Sequence, residues 1–167
     1  IFDDDLSRLK AKDGVFSIMG NHDYCIYNRH SSQTARMKAI AEVKARERRY
    51  GWQLLLNEHK VVHHGGDSIA IVGVENSSRP PFPDYGNLAG AMECAEGQLP
   101  EFKVLLSHDP THWRREVLKK TDIQLQLSGH THATQFRLFG WSPASFVYDE
   151  YAGLYEEQNG VTEAVNE

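Results

Sequence analysis

Ile123-Gln124-Leu125-Gln126-Leu127-Ser128-Gly129-His130-Thr131-His132 is a short apolar strand that stops in a histidine-bearing turn. The pattern occurs twice more. Phe102-Lys103-Val104-Leu105-Leu106 runs into Ser107-His108-Asp109-Pro110, and Val15-Phe16-Ser17-Ile18-Met19 runs into Gly20-Asn21-His22-Asp23. Strands lying side by side in one direction bring their C-terminal tips together, at the edge where open α/β sheets bind ligands. Residues distant in sequence then line one site. The repeated pattern predicts an α/β fold with chemistry at one sheet edge.

The rest of the chain reads outward from these strands. Leu6 to Ala11 predicts the last turns of a helix whose favourable N-terminal end carries Asp3 to Asp5. Ser31 to Tyr50 predicts a long helix with Met37, Ile40, Ala41 and Lys44 on one stripe and Gly51 as its stop. Its basic run Arg46, Arg48 and Arg49 suits a solvated C-terminal face. Trp52–Leu56, Lys60–His64 and Ser68–Glu75 predict a β-meander, with Gly65-Gly66-Asp67 as a hairpin turn. His63 and His64 read as strand-end residues. Arg79-Pro80-Pro81-Phe82-Pro83 forbids regular structure and marks a long connection. Short helices are expected over Leu88–Ala95 and Thr111–Lys119, and a last strand over Val161–Val165. Trp141, Tyr148, Tyr151 and Tyr155 make the later stretch aromatic.

Composition fixes the class. The chain has 167 residues, 40% hydrophobic and 25% charged, the balance of one soluble globular domain rather than a disordered one. A net charge of −5 argues against a broad nucleic-acid binder, which would be basic. The longest apolar run, Ile69 to Val74, is far too short to span a membrane. The acidic start Ile1-Phe2-Asp3-Asp4-Asp5 is no signal peptide, and the missing initiator Met suggests a processed or cut chain. Cys25 and Cys94 have no CxxC spacing and read as free thiols. Nine histidines are notable because the imidazole is the commonest metal ligand. Histidine nitrogens with an amide or carboxylate oxygen suit Zn, Fe, Mn or Ni. In an extended segment, His130 and His132 would point to the same side. The glycines before both motifs allow a sharp turn.

Gly20-Asn21-His22-Asp23-Tyr24, then Ser107-His108-Asp109-Pro110, then Gly129-His130-Thr131-His132, in that order, resemble the last three motifs of the calcineurin-like metallophosphoesterases. The resemblance is strongest to the bacterial YkuE-type members and runs over nearly the whole chain. It implies a four-layer α/β/β/α sandwich with a two-metal site at one edge. It implies that Asn21, His108 and His130 ligate one metal and His132 the other. It also implies that His22 is the general acid and that Asp23 orients its ring. The implied activity is hydrolysis of phosphomonoesters or phosphodiesters by a hydroxide bridging Mn, Fe or Zn ions.

The departures shape the expectation. Asp-x-His and Gly-Asp-x-x-Asp motifs, which open the family pattern, do not precede Gly20; Gly66-Asp67 is out of order. Residues 1–167 are therefore expected to be one partial catalytic domain, incomplete at both ends, that holds at most one ion and is inactive alone. The parent would be cytoplasmic or membrane-associated, and its partner a phosphate-ester substrate. The alternative is a non-catalytic metal- or protein-binding module on the same fold. His112 and Trp113 fit either substrate contact or helix-start packing. Cys25 reads as an inert thiol. Ala133-Thr134 replaces a pair of glycines common in the family.

Overall fold

Among the described residues the strands form two sheets, one of two strands and one of six. The computed structural model describes residues 2–95, 97–132, 143–157 and 162–165. The smaller sheet pairs β1 (Phe16–Ser17) with β2 (Gln53–Leu54) in parallel, with Phe16 opposite Gln53. The larger sheet has the order β3-β4-β5-β6-β8-β7. Its strands are β3 (Glu58–His64), β4 (Asp67–Gly73), β5 (Lys103–Leu106), β6 (Leu125–Ser128), β7 (Gly153–Glu156) and β8 (Thr162–Val165). The run β4, β5, β6, β8 is parallel, and antiparallel β3 and β7 close the two sides. This is a mixed α/β fold, as the strand-tip pattern predicts.

The expected meander is corrected. Only β3 and β4 form a hairpin, turning at Gly65 with φ +63°; β2 leaves to pair with β1. A short apolar run does not reveal its partner, and β1 lies far upstream of β2, with the whole of α2 between them. β7 was not foreseen, since Gly153-Leu154-Tyr155-Glu156 is mostly exposed and lacks a clean alternation.

α1 covers Asp3–Ser7, shorter and earlier than expected, with the acidic triplet in its first turn. α2 covers Gln33–Arg49; the Ser32 side chain accepts from the Ala35 N–H as its N-cap, and Arg46, Arg48 and Arg49 occupy its last turn. Ile40 is buried, whereas Met37 on the same stripe is exposed. α3 covers Leu88–Met92, capped by Asn87 Oδ1. The expected helix near Thr111 becomes a π turn over Trp113–Val117, with Leu118 N–H donating to the Trp113 carbonyl at 2.7 Å.

Two clusters make the core. Val72, Val74, Leu105, Trp113, Val117 and Ile123 pack the larger sheet against α3 and the π turn. Met19, Tyr24, Cys25, Ile40 and Leu54 pack the smaller sheet against α2. Burying these side chains is worth about 1.5–3 kcal/mol for each large aliphatic one. No helix among the described residues is long and apolar enough to cross a membrane. Phe136–Phe139, Ala133-Thr134 and Trp141 lie outside the described residues.

Candidate metal centre

β1 delivers the first motif. After Met19 the chain enters a 3-10 turn over Asn21–Tyr24, and Gly20 precedes it in an extended conformation. Asp23 Oδ2 accepts from the Gly20 N–H at 2.8 Å, which pins the start of the turn. Gly20 is required for space rather than for its dihedrals: a Cβ there would sit 2.8 Å from three atoms of the His108 ring. β5 delivers His108, and β6 delivers His130. The two tips are joined by Ser107 N–H to Leu127 O at 3.1 Å and by Gly129 N–H to His108 O at 2.9 Å.

Three donor atoms converge there. Asn21 Oδ1 lies 2.8 Å from His108 Nε2 and 3.3 Å from His130 Nδ1, and the two imidazole nitrogens are 3.2 Å apart. Metal–donor bonds of about 2.1 Å at angles between square and tetrahedral place neighbouring donors about 3.0–3.4 Å apart. Two edges of the observed triangle, 3.2 and 3.3 Å, fall in this range, and the 2.8 Å edge is a hydrogen-bond distance that would open slightly around a divalent ion. No group of three His, Cys, Asp or Glu gathers among the described residues, so the arrangement depends on the Asn21 amide oxygen.

Electrostatics suit the same use. Burial, with a further push from His130, lowers His108 to about 4. Burial also lowers His130, against the opposing pull of Asp109. Both rings are therefore neutral near pH 7, the form that can ligate. Asp109 is buried, accepts from the Thr111 N–H at 2.9 Å, and places Oδ2 3.9 Å from His130 Nε2. Phe82 meets the His130 ring edge-on at 4.8 Å, and Tyr148 does so at 5.9 Å.

The profile of the calcineurin-like phosphoesterases matches residues 2–134. The chain belongs to this family. Its members hydrolyse phosphoesters and use divalent metals. The chain is 26% identical over 153 residues to a bovine transmembrane protein with a metallophosphoesterase domain, covering 90% of this chain and 33% of that protein. It is 30% identical over 155 residues to the uncharacterized metallophosphoesterase YkuE of Bacillus subtilis, covering 91% and 46%. YkoQ of the same bacterium is 26% identical over 132 residues, covering 78% and 42%. The chain thus spans between a third and about half of these relatives. The NAD nucleotidase of Haemophilus influenzae superposes with a TM-score of 0.49 at 17% identity, over 91% of this chain and 33% of that one.

Within this calcineurin-like frame, the motif residues separate into groups. Asn21, His108 and His130 meet. His22 is exposed beside them, its ring 4.5 Å from that of Tyr27. His132 is exposed at φ +51° and contributes no atom to the triangle. The segment is not extended, since His130 itself takes φ +70°, so the condition under which the two histidines would share a side is not met. Gly129 leaves this strain to His130, a non-glycine in the left-handed region beside a candidate site. His112 and Trp113 are fully buried, His112 Nδ1 lying 2.8 Å from Ser107 Oγ; this is helix-start packing. Cys25 is buried and Cys94 is partly so, both free thiols.

Three neighbours were missed from sequence. Asp109 had a visible signal, standing directly after His108. Phe82 and Tyr27 had none, because only folding brings the proline-rich connection and the end of the first turn to the cluster.

Proposed function

We propose that this chain carries the histidine side of a metal-dependent phosphoesterase site. One divalent ion would be held by Asn21 Oδ1, His108 Nε2 and His130 Nδ1. The triangle of these three atoms is the observation that supports the reading. A divalent cation supplies Lewis acidity, polarising phosphoryl oxygens and lowering the pKa of water. His22, exposed at the rim, would donate a proton to the departing ester oxygen. His132 would serve a second ion. Asp23 would act on His22 indirectly, by fixing the turn on which the ring is mounted.

Substrates would be phosphomonoesters or phosphodiesters. The sequence has no Asp-x-His or Gly-Asp-x-x-Asp ahead of Gly20, so at most one ion and little turnover are proposed for this chain alone. Mn²⁺ titration of wild type and His130→Ala tests the site. Equal uptake by both proteins would contradict it. A non-catalytic binding module on the same fold is the second reading. It is favoured by the Asp23 carboxylate, which engages the Gly20 backbone. Hydrolysis of phenyl phosphate in the presence of Mn²⁺, abolished by His22→Ala, would exclude that module.

A further inference from the structure

We propose that Tyr27 is a positioning residue for this site, acting on Asn21 through its hydroxyl and on His22 through its ring. The inference rests on the reading of Asn21 as a donor and His22 as a proton donor. No motif gives Tyr27 a role; local geometry brings it there. Cys25 closes the 3-10 turn at φ +54°, with its N–H on the His22 carbonyl at 3.0 Å. That left-handed residue reverses the chain, and Tyr27 comes back over the turn it has just left.

Asn21 is buried, and its amide can present either oxygen or nitrogen to the two histidines. With Oδ1 facing them, Nδ2 must find an acceptor elsewhere. It donates to the Tyr27 hydroxyl at 2.7 Å. A buried N–H left without an acceptor is costly, so the hydroxyl makes the oxygen-inward orientation self-consistent. Accepting that proton also draws charge onto Oδ1, as partners behind a ligand generally do. The Tyr27 ring lies 4.5 Å from the His22 ring, tilted by 35°. It limits the sweep of an otherwise exposed imidazole. With 52% of its surface exposed, Tyr27 adds little to the core, so its removal leaves the fold standing.

Mn²⁺ affinity, read by electron paramagnetic resonance, tests the hydroxyl in a double-mutant cycle. Tyr27→Phe weakens binding about tenfold when residue 21 is asparagine, the low end for a partner behind a ligand. Combined with Asn21→Ala, which removes the amide N–H and leaves no acceptor in its place, the same change costs less than about twofold. Equal losses in both backgrounds, or none in the first, overturn the assignment. Proton NMR tests the ring. Tyr27→Phe leaves the His22 ring resonances in place and Tyr27→Leu shifts them; an unmoved His22 in Tyr27→Leu overturns that role. Wild-type protein that takes up no Mn²⁺ refutes the donor reading and the hydroxyl role together. Normal uptake with an indifferent Tyr27→Phe refutes this inference alone.

Discussion

Replacing Glu163 with glutamine removes most of the alkaline pH dependence of folding stability. Glu163 is fully buried on β8. Its Oε1 accepts from Gln126 Nε2 and from Ser128 Oγ, each at 2.9 Å. Its Oε2 and Gln126 Oε1 have no partner among the described residues. Burial, reinforced by the Glu150 charge, pushes the carboxyl up to about 8 from an ordinary 4.5. Between those values the folded state holds a proton that the unfolded chain has released. The stabilisation is fully present below 4.5 and is lost as pH rises through 8. From pH 6.5 to 9 the loss is about 2 kcal/mol, at 1.36 kcal/mol for each full pH unit below the folded value. The lowered imidazole of His108 is already neutral at pH 6.5, and the raised hydroxyls of Tyr24 and Tyr148 keep their protons to pH 9. Glutamine reproduces the protonated shape without titrating. Urea unfolding followed by tryptophan fluorescence at pH 6.5, 8 and 9 reads the difference, those three values being about the smallest useful set. A wild-type curve that is flat, or a Glu163→Gln curve that falls in parallel, refutes the reasoning.

Other perturbations act nearer the cluster. Gly20→Ala drives a Cβ into the His108 ring; stability falls by about 1–3 kcal/mol, and Mn²⁺ affinity falls with it, both read by titration. His22→Ala leaves Mn²⁺ affinity within about twofold, because its ring stands outside the triangle. In a preparation that turns over phenyl phosphate, the same change lowers the rate about a hundredfold or more. His108 acts with the opposite sign to Glu163. Its lowered value means the unfolded chain binds a proton first, so its own contribution to stability falls as pH drops from 6.5 towards 4, against the gain from Glu163 over the same range. His108→Gln removes that fall, so in the same urea assay its stability rises relative to wild type as pH drops.

Legibility in the sequence followed the range of the physics involved. α2 was readable almost to its ends because Ser32 and Gly51 act on their own neighbours. The Gly65-Gly66 hairpin was readable for the same reason. The partner of β2 was not, since its apolar run would satisfy either sheet. The donors Asn21, His108 and His130 stood out because each ends a strand in a turn. How they are supported did not. Asp23 was assigned to His22, yet its Oδ2 holds the Gly20 N–H. A shared face for His130 and His132 requires an extended segment, yet both take positive φ. Local backbone geometry decided these cases, and residue identity two positions apart carries no record of it.

The donor triangle draws on both sheets, so it exists only while they keep a fixed offset. Packing alone constrains that offset loosely, because apolar surfaces attract without direction. Directional bonds around Glu75, two residues beyond β4, supply the missing constraint. Glu75 Oε1 accepts from the Tyr24 hydroxyl at 2.9 Å and from Lys44 Nζ at 3.3 Å. Its Oε2 accepts from Asn57 Nδ2 at 3.1 Å, and its N–H donates to Asn57 Oδ1 at 3.0 Å. Tyr24 ends the turn that carries Asn21, Lys44 lies on α2, and Asn57 joins β2 to β3. One carboxylate therefore ties the Asn21 turn, its supporting helix and the inter-sheet link to the strand beside β5. Bonds to a charged acceptor are worth about 1.5–3 kcal/mol each, enough to hold three elements to one point. Neutral donors at the cluster and a charged brace away from it divide the work: the brace sets position, and the cluster keeps its lone pairs for a cation.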